Sequence, residues 1–450
     1  MDTYKIFCLR RYVMGIKVSK FGGSSLADAA HFKKVKDILL MDPERRFVVP
    51  SAPGKRFSND EKVTDLLYKC YHLAEAGEDI TPVFDKVRAR YMEIAEQLNA
   101  DIDMKALLDQ TKGDIKRIST PDFAASRGEY LNGMLLAAYL GWDFIDPKDV
   151  IKFDRQGVFA SEWTNEILGE RLQKHDYAVI PGFYGSFPNG EVRTFSRGGS
   201  DISGAIVARA AKADLYENWT DVSGFLMADP RIVENPREIR ELTYKELREL
   251  SYMGATVLHE DSIFPVHRAG IPTNIKNTNN PAHPGTMILS EPTSEHTPGT
   301  ITGIAGHKNF TILSIEKAMM NAELGFGRRV LQTLEDFGVS FEHLPTGIDT
   351  MSVVIGKGEL NTRRNEIVKR IREVCQPDSV EITDDIALIA TVGHGMVKNP
   401  GTAAKIFTAL SEAKVNVKMI DQGSSELNII VGVQESDFDN AVRAIYYAFN

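Results

Sequence analysis

Beyond residue 307 the chain runs through the same order of elements twice, and that repetition limits the folds open to it. "FTILSIEK" (310–317) alternates as a strand, "GFGRRVLQTLEDFG" (325–338) has apolar residues at helical spacing, and "VSFEHLP" and "MSVVIGK" read as two further strands. "RRNEIVKRIREVC" (363–375) follows as a second helix. "IALIATVG" (386–393), "GTAAKIFTALSEAK" (401–414), "VNVKMIDQ", "LNIIVGV" and "ESDFDNAVRAIYYAF" then repeat strand, helix, strand, strand, helix. A ferredoxin-like unit needs a fourth strand to complete the sheet beneath its two helices. "SVEIT" (379–383) serves the first repeat. The second reaches Asn450 on its helix, and the alternating "TITGIAG" (300–306) is the segment suited to complete it. The alternative is a second repeat that simply ends on its helix. With the completing strand the domains are 14–298, an inserted repeat at 307–383, and a second repeat made of 299–306 with 384–450.

Upstream the grammar differs. Short apolar runs, "FVVPSA" (47–52), "YAVIPGFYG" (177–185), "DLYENWTDV" (214–222) and "IPTNIKNT" (271–278), are separated by amphipathic helices such as 61–76 and 202–212, and helices dominate 79–140. This predicts an α/β domain with a mostly parallel sheet sandwiched by helices, followed by two ferredoxin-like βαββαβ domains. The proline-rich stretch 277–300 reads as loop, short strand and linker.

Lys and Arg total 53 against 62 Asp and Glu, a net charge of −9 that argues against a broad footprint for nucleic acid or an anionic membrane. Cys8, Cys70 and Cys375 show no CxxC spacing and no zinc pattern, which fits reduced thiols in a cytoplasm. No apolar run approaches the ~18 residues of a membrane span. Residues 1–13, ahead of Met14, are given no function.

Three strings carry chemistry. In "KVSKFGGSS" (17–25) a lysine, Lys20, precedes the bare backbone of Gly22 and Gly23, a pattern that also serves a plain strand-to-helix turn. In "RTFSRGGSDISGAIVARAA" (193–211), Arg197, Gly198, Gly199, Ser200 and Asp201 open an apolar helix whose N-terminus suits an anion. Ser200 or Asp201 is also a competent helix cap, but capping does not account for Arg197 and two glycines. "NWTDVSGFLMADPR" (218–231) ends a strand on Thr220 and Asp221, where open α/β sheets bind ligands, and continues to Asp229 and Arg231.

With "SRGE" (126–129), "PGF" (181–183) and "GATVLH" (254–259) interleaved in order, the chain from about Gly15 onward resembles the aspartate kinases of the amino-acid-kinase superfamily, which carry tandem C-terminal ACT domains. The resemblance implies transfer of the γ-phosphoryl of MgATP to the β-carboxylate of L-aspartate, giving β-aspartyl phosphate and ADP in the first step towards lysine, threonine and methionine. A carboxylate titrating near 4 is already ionised, so no general base is needed. The obstacle is repulsion between two anions.

By motif, the resemblance makes Lys20 and Asp201 catalytic, with Asp201 orienting Lys20, and gives Gly22, Gly23 and Ser24 to the phosphates. Arg197 takes the substrate α-carboxylate and Glu129 its ammonium, while Ser51, Thr64, Phe183, Gly198 and Ser200 close the pocket. Thr220, Asp221, Asp229 and Arg231 fall on the nucleotide, with magnesium held mainly by phosphates and water. Two departures stand out: Thr256 where the family often has lysine, and Leu226 where it often has an aromatic residue. Lys276 is the candidate for the missing charge.

The ACT resemblance implies an amino-acid effector and a homodimer or higher homo-oligomer. Met320, Gly325 and Phe326 in "MNAELGFG" suit an effector carboxylate, and Glu342 and Asp349 its ammonium groups, which favours lysine over threonine. A solvated acidic edge is the plainer reading of those carboxylates. Another amino-acid kinase, or an amino-acid-sensing protein with a decayed kinase site, is the alternative function.

Overall fold

The computed structural model describes residues 15–117, 120–196, 198–255, 257–258, 260–292, 300–360 and 363–450. The expectations attached to Arg197 and Thr256 lie outside the described residues. The chain forms two compact units, one running up to Gly224 and including Leu258–Ser290, the other made of Phe225–Val257 and Glu291–Asn450. The expected fold class is the one adopted.

In the first unit the sheet strands are β1 (Lys17–Phe21), β2 (Arg45–Pro50), β3 (Asp143–Phe144), β4 (Ala178–Val179), β5 (Leu215–Thr220), β6 (Thr273–Asn277) and β7 (Thr286–Leu289). They lie in the order β7-β6-β5-β1-β2-β4-β3, and only the β6/β7 pair is antiparallel among the pairings resolved here. β1 is central because it is apolar on both faces: Val18 and Phe21 are fully buried. Register sets Lys20 beside Val49 of β2 and Asn218 of β5. A buried ion pair lies in the core of the sheet. Arg45 donates from Nε and Nη2 to Glu217 at 2.8 and 3.0 Å, and Ser19 and Trp219 donate to the same carboxylate at 2.8 and 3.0 Å.

Helices α1 (Ala29–Leu40), α2 (Val63–Glu75), α3 (Thr81–Leu98), α4 (Met104–Arg117), α5 (Pro121–Leu140) and α6 (Gly199–Ala210) pack around this sheet. α5 starts with Thr120, whose hydroxyl accepts from the Phe123 N–H at 3.2 Å, and it stops at Gly141 with φ +70°. Most of its residues from Ala124 to Ala137 are buried. Small residues let it approach so closely: a Cβ on Gly128 would meet Ala52 Cβ at 2.9 Å, and one on Gly133 would meet Pro181 Cγ at 2.4 Å. α5 is thereby pressed onto the ends of β2 and β4.

The second unit contains a sheet of order β9-β8-β10-β12-β11, where β8 is Gly303–Glu316, β9 Thr350–Gly356, β10 Ser379–Val392, β11 Val417–Asp421 and β12 Asn428–Gln434. All pairs are antiparallel. Each of the segments read as separate strands at 300–306 and 310–317, and at 379–383 and 386–393, is part of one 14-residue strand. Polar residues at 307–309 and 383–385 interrupt the apolar alternation without breaking the strands. They form a bulge, with Asn309 and Asp385 at φ +76° and +57°. Gly303–His307 pairs with Leu388–Val392, whereas Phe310–Glu316 pairs with β9, and Ile312–Glu316 with Ser379–Thr383.

"VSFEHLP" forms no full strand and contributes one isolated bridge, His343 to Val354, with a second just beyond it from Thr346 to Met351. Pro345 lacks the N–H a ladder requires. Helices α7 (Tyr244–Tyr252), α8 (Phe326–Asp336), α9 (Arg364–Cys375), α10 (Thr402–Glu412) and α11 (Phe438–Phe449) complete this unit. The Glu246 carboxylate ties α7 to the sheet, accepting from Thr302 Oγ1 at 2.6 Å and from the His394 N–H at 2.8 Å. Among the described residues no helix is long and apolar enough to cross a membrane.

Candidate active site

The carboxyl ends of β1, β2 and β5 bring three loops together. The Gly22 N–H donates to Trp219 O at 3.0 Å, the Ser51 N–H to Phe21 O at 3.0 Å, and the Gly54 N–H to Gly23 O at 2.8 Å. A Cβ on Gly23 would lie 2.9 Å from Ala52 O, and one on Gly54 2.6 Å from the Gly23 carbonyl carbon. Loops 22–25 and 51–54 therefore run backbone against backbone, which is why the chain needs glycine here.

Lys20 is buried, with its Nζ 2.6 Å from Asp201 Oδ1 and 3.4 Å from Asn218 Oδ1. Asn218 Nδ2 donates to the same Asp201 oxygen at 2.8 Å, closing a three-membered polar cluster. Asp201 does not cap α6. That position belongs to Gly198 at φ +58°, which leaves the carboxylate free to reach Lys20. Asn218 was not singled out as a site residue, because the register that sets it beside Lys20 appears only in the folded sheet.

The loop 181–183 packs directly on the start of α6. A Cβ on Gly182 would meet Ser200 Cβ at 2.7 Å, and one on Gly199 would meet Phe183 Cδ2 at 2.3 Å. Phe183 holds φ +80°, a left-handed conformation uncommon for a bulky residue, and its N–H donates to Ser203 Oγ at 2.9 Å.

A cleft of about 560 Å³ opens beside these loops, lined by the anticipated Gly23, Ser24, Ser51, Thr64, Glu129, Ser200 and Asp221. Lys55, Arg56, Phe57, Ser58 and Lys62 line it too and were not anticipated. Their loop is pinned from beneath. Arg90 donates to Gly54 O at 3.0 Å and pairs with Asp60, and Arg56 Nε reaches the same carboxylate at 3.0 Å. Hydrogen bonds from Arg56, together with the Arg90 charge, hold Asp60 far below the ordinary carboxylate range against the opposing effect of burial.

Glu129 is the unusual member of the cleft. It is 5% exposed, and its Oε2 has no hydrogen-bond partner. Burial pushes its pKa up to about 8, against the weaker pull of the Ala52 N–H, its own N–H and the Arg127 charge. Arg127 offers little relief, since its guanidinium lies 4.5 Å from the ring centroids of both Phe123 and Tyr130.

Of the residues expected at the nucleotide, Thr220 Oγ1 donates to Asp221 Oδ1 at 3.2 Å, and Thr220 O accepts from the Thr278 N–H at 2.9 Å. Lys276 does not join Lys20. It stands in register with Trp219, on the opposite face of the sheet from Asn218, with its Nζ 5.2 Å from the Trp219 ring centroid. Burial lowers its pKa. Asp229 and Arg231 belong to the second unit and pair with each other, Nη2 to Oδ2 at 2.6 Å. Leu226 is exposed on the short strand Phe225–Leu226.

Also in the second unit, Met320, Gly325, Phe326 and Asp349 of the anticipated effector residues lie at the 317–326 turn, and Glu342 is placed elsewhere, against Tyr252. Gly325, at φ +81°, begins α8, and Met320 and Phe326 are buried. Asp349 Oδ1 accepts from the Met319 N–H at 2.7 Å. Glu342 accepts from the Tyr252 hydroxyl. Glu323, which was not anticipated, pairs with Lys317 at 2.6 Å and with Arg329.

Residues 15–277 match the amino acid kinase family and residues 389–449 match an ACT domain. The chain is 42% identical to aspartokinase 3 of Bacillus subtilis over 96% of its length and 98% of the relative's. Its structure is similar to that of Clostridium acetobutylicum aspartate kinase, with 56% identity, a TM-score of 0.92, and 97% and 100% of the two chains covered. Escherichia coli aspartokinase III, at 25% identity and a TM-score of 0.73 with 96% and 99% covered, has been solved with aspartate and ADP in an R-state and with lysine and aspartate in a T-state. A buried lysine held by a carboxylate, glycine-lined loops at the sheet edge and a match spanning essentially the whole relative lead to one assignment: the chain belongs to the amino acid kinase family, among the aspartokinases.

Proposed function

We propose that this cleft binds L-aspartate against Glu129 and α6, and that Lys20 and the 22–24 loop receive the phosphate chain of ATP. The observation that carries the reading is Glu129 itself, a buried carboxylate with an unpaired oxygen in the same cleft as Ser24 and Ser200. Burying such a group without a partner is unfavourable, and an α-ammonium supplies the missing charge and donors. Ser51, Thr64, Phe183, Gly198 and Ser200 shape the remainder of the pocket, with Arg197 assigned by motif to the α-carboxylate.

The β-carboxylate oxygen attacks the γ-phosphorus, forming the acyl phosphate as the bond to the ADP oxygen breaks. Lys20 neutralises charge on the transferring group, and backbone N–H groups around Gly22 and Gly23 donate to its oxygens. Asp201 and Asn218 hold the Lys20 ammonium in place. Thr220, Asp221, Asp229 and Arg231 are assigned to the nucleotide. Magnesium enters with ATP, held largely by phosphate and water oxygens. Among the described residues no group of three or more His, Cys, Asp or Glu side chains is arranged to hold a metal ion.

Pairing of Gly303–His307 with Leu388–Val392 supports one ACT domain formed by 299–306 and 384–450 around another at 307–383, after a catalytic domain at 14–298. The turn carrying Met320, Gly325 and Phe326, with Glu342 and Asp349 nearby in sequence, is our candidate effector site. The two carboxylates and the lysine complex of the E. coli relative favour lysine over threonine, and ACT contacts favour a homodimer. The unpaired thiols of Cys70 and Cys375 fit a reducing cytoplasm.

The test is an ADP-release assay with aspartate or glutamate as acceptor, with and without added lysine or threonine. Lys20→Ala is expected to lower kcat at least ~10²-fold, the size typical of one preorganised transition-state donor. Near-normal turnover in that variant would remove Lys20 from the mechanism.

A further inference from the structure

A second buried acceptor stands one helical turn beyond Glu129. Asn132 is fully buried, and its Nδ2 donates to Ser51 O at 2.6 Å. That bond fixes which end of the amide is which, because a carbonyl can only accept. Asn132 Oδ1 then has no hydrogen-bond partner, and neither has Glu129 Oε2. Buried acceptors are seldom left so, and two on one helix call for a common cause.

The two share a setting. Residues three apart on a helix occupy the same face. Asn132 leans on the Ser51 carbonyl and Glu129 on the Ala52 N–H, and both Ser51 and Ala52 line the cleft. Close packing of α5 through Gly128 and Gly133 holds this stretch of the helix against Ala52 and Pro181.

The missing partner must bring several donors to two acceptors on one helical face, as an ammonium group does with its three N–H bonds. We infer that Asn132 Oδ1 is a second acceptor for the substrate's α-ammonium, beside Glu129, and that it selects amino dicarboxylates over dicarboxylates lacking the amino group. This rests on the reading of Glu129 as the ammonium's partner. Selection follows because a ligand without those N–H bonds would leave both acceptors desolvated and unpaired.

The experiment measures aspartate KM, ATP KM and competitive inhibition by succinate, which has both carboxylates and no amino group. In Asn132→Leu the aspartate KM is expected to rise roughly tenfold, as for loss of one hydrogen bond to a charged donor. ATP KM and the succinate inhibition constant should stay at their wild-type values. Equal weakening of aspartate and succinate would reduce Asn132 to a support for Ser51, and an unchanged aspartate KM would also overturn the inference. If the leucine variant fails to fold, Asn132→Ala is read by the same aspartate-to-succinate ratio and by the melting shift each ligand induces. Glu129→Gln is the separating arm. If it leaves that ratio untouched, the reading of the cleft fails; if it collapses the ratio while the Asn132 variants do not, only the Asn132 assignment falls.

Discussion

The Glu129 carboxyl sets a pH dependence that can be worked out in sign. Its pKa of about 8 in the fold stands above the 4.5 of an unperturbed glutamate, so the folded protein holds a proton that the unfolded chain releases between those values. Raising the pH through that window therefore lowers stability. Glu129→Gln, which cannot ionise, is expected to melt above the wild type without substrate, by a margin that widens from pH 5 to pH 8. Thermal melts across that range check it. An ammonium ligand requires the ionised form, so aspartate binding at pH 7 should release close to one proton. Calorimetric titration in buffers of differing ionisation enthalpy measures that release, and a value near zero would contradict the assignment. Lys20, Gly22 and Gly23 stood out in the sequence because glycines and a charge in an apolar run are conspicuous, whereas Glu129 was named only through the family resemblance carried by "SRGE". Asn132 and Asn218 did not stand out, since a buried amide looks like any polar residue until its neighbours are known. The face that Lys276 occupies was hidden for a related reason: it depends on register with Trp219.

At the scale of elements, the strand order around β1 is supported by an ion pair that the sequence hid. Arg45 and Glu217 lie 172 positions apart, and nothing local announces their contact. Burial works against the Glu217 charge, but hydrogen bonds and the charge of Arg45, with Trp219 and Ser19, hold its pKa below the ordinary value. Its stabilisation is thus present above pH ~4.5 and is lost as the pH falls through the depressed pKa. Glu217→Ala leaves a buried guanidinium unpaired and is expected to cost about 3–5 kcal/mol, measured by denaturant unfolding. Helix positions were readable from apolar spacing: 61–76 became Val63–Glu75, and 202–212 became Gly199–Ala210. What spacing could not convey was how near α5 comes to β2 and β4, because the small residues that permit it also suit any helix.

For the whole molecule, the repeated order of elements announced the two ACT-like halves, yet their junction was invisible. The polar runs at 307–309 and 383–385 read as strand ends, whereas the backbone carries on through both. Two strands common to both halves make independent melting unfavourable, because separating the halves would break β8 and β10 at mid-length. Calorimetry of the full protein is expected to show these halves unfolding in a single transition, and hydrogen exchange should protect 310–316 and 386–392 to a similar degree. Clearly separated protection would refute that coupling. The same arrangement bears on how the chain is made. Gly303–His307 leaves the ribosome long before Leu388–Val392, the partner it needs, and in the interval an entire ACT-like segment must be synthesised. Closing so long a loop is slow, so the nascent chain carries an open strand edge through that delay, the stage at which aggregation or capture by a chaperone competes with folding.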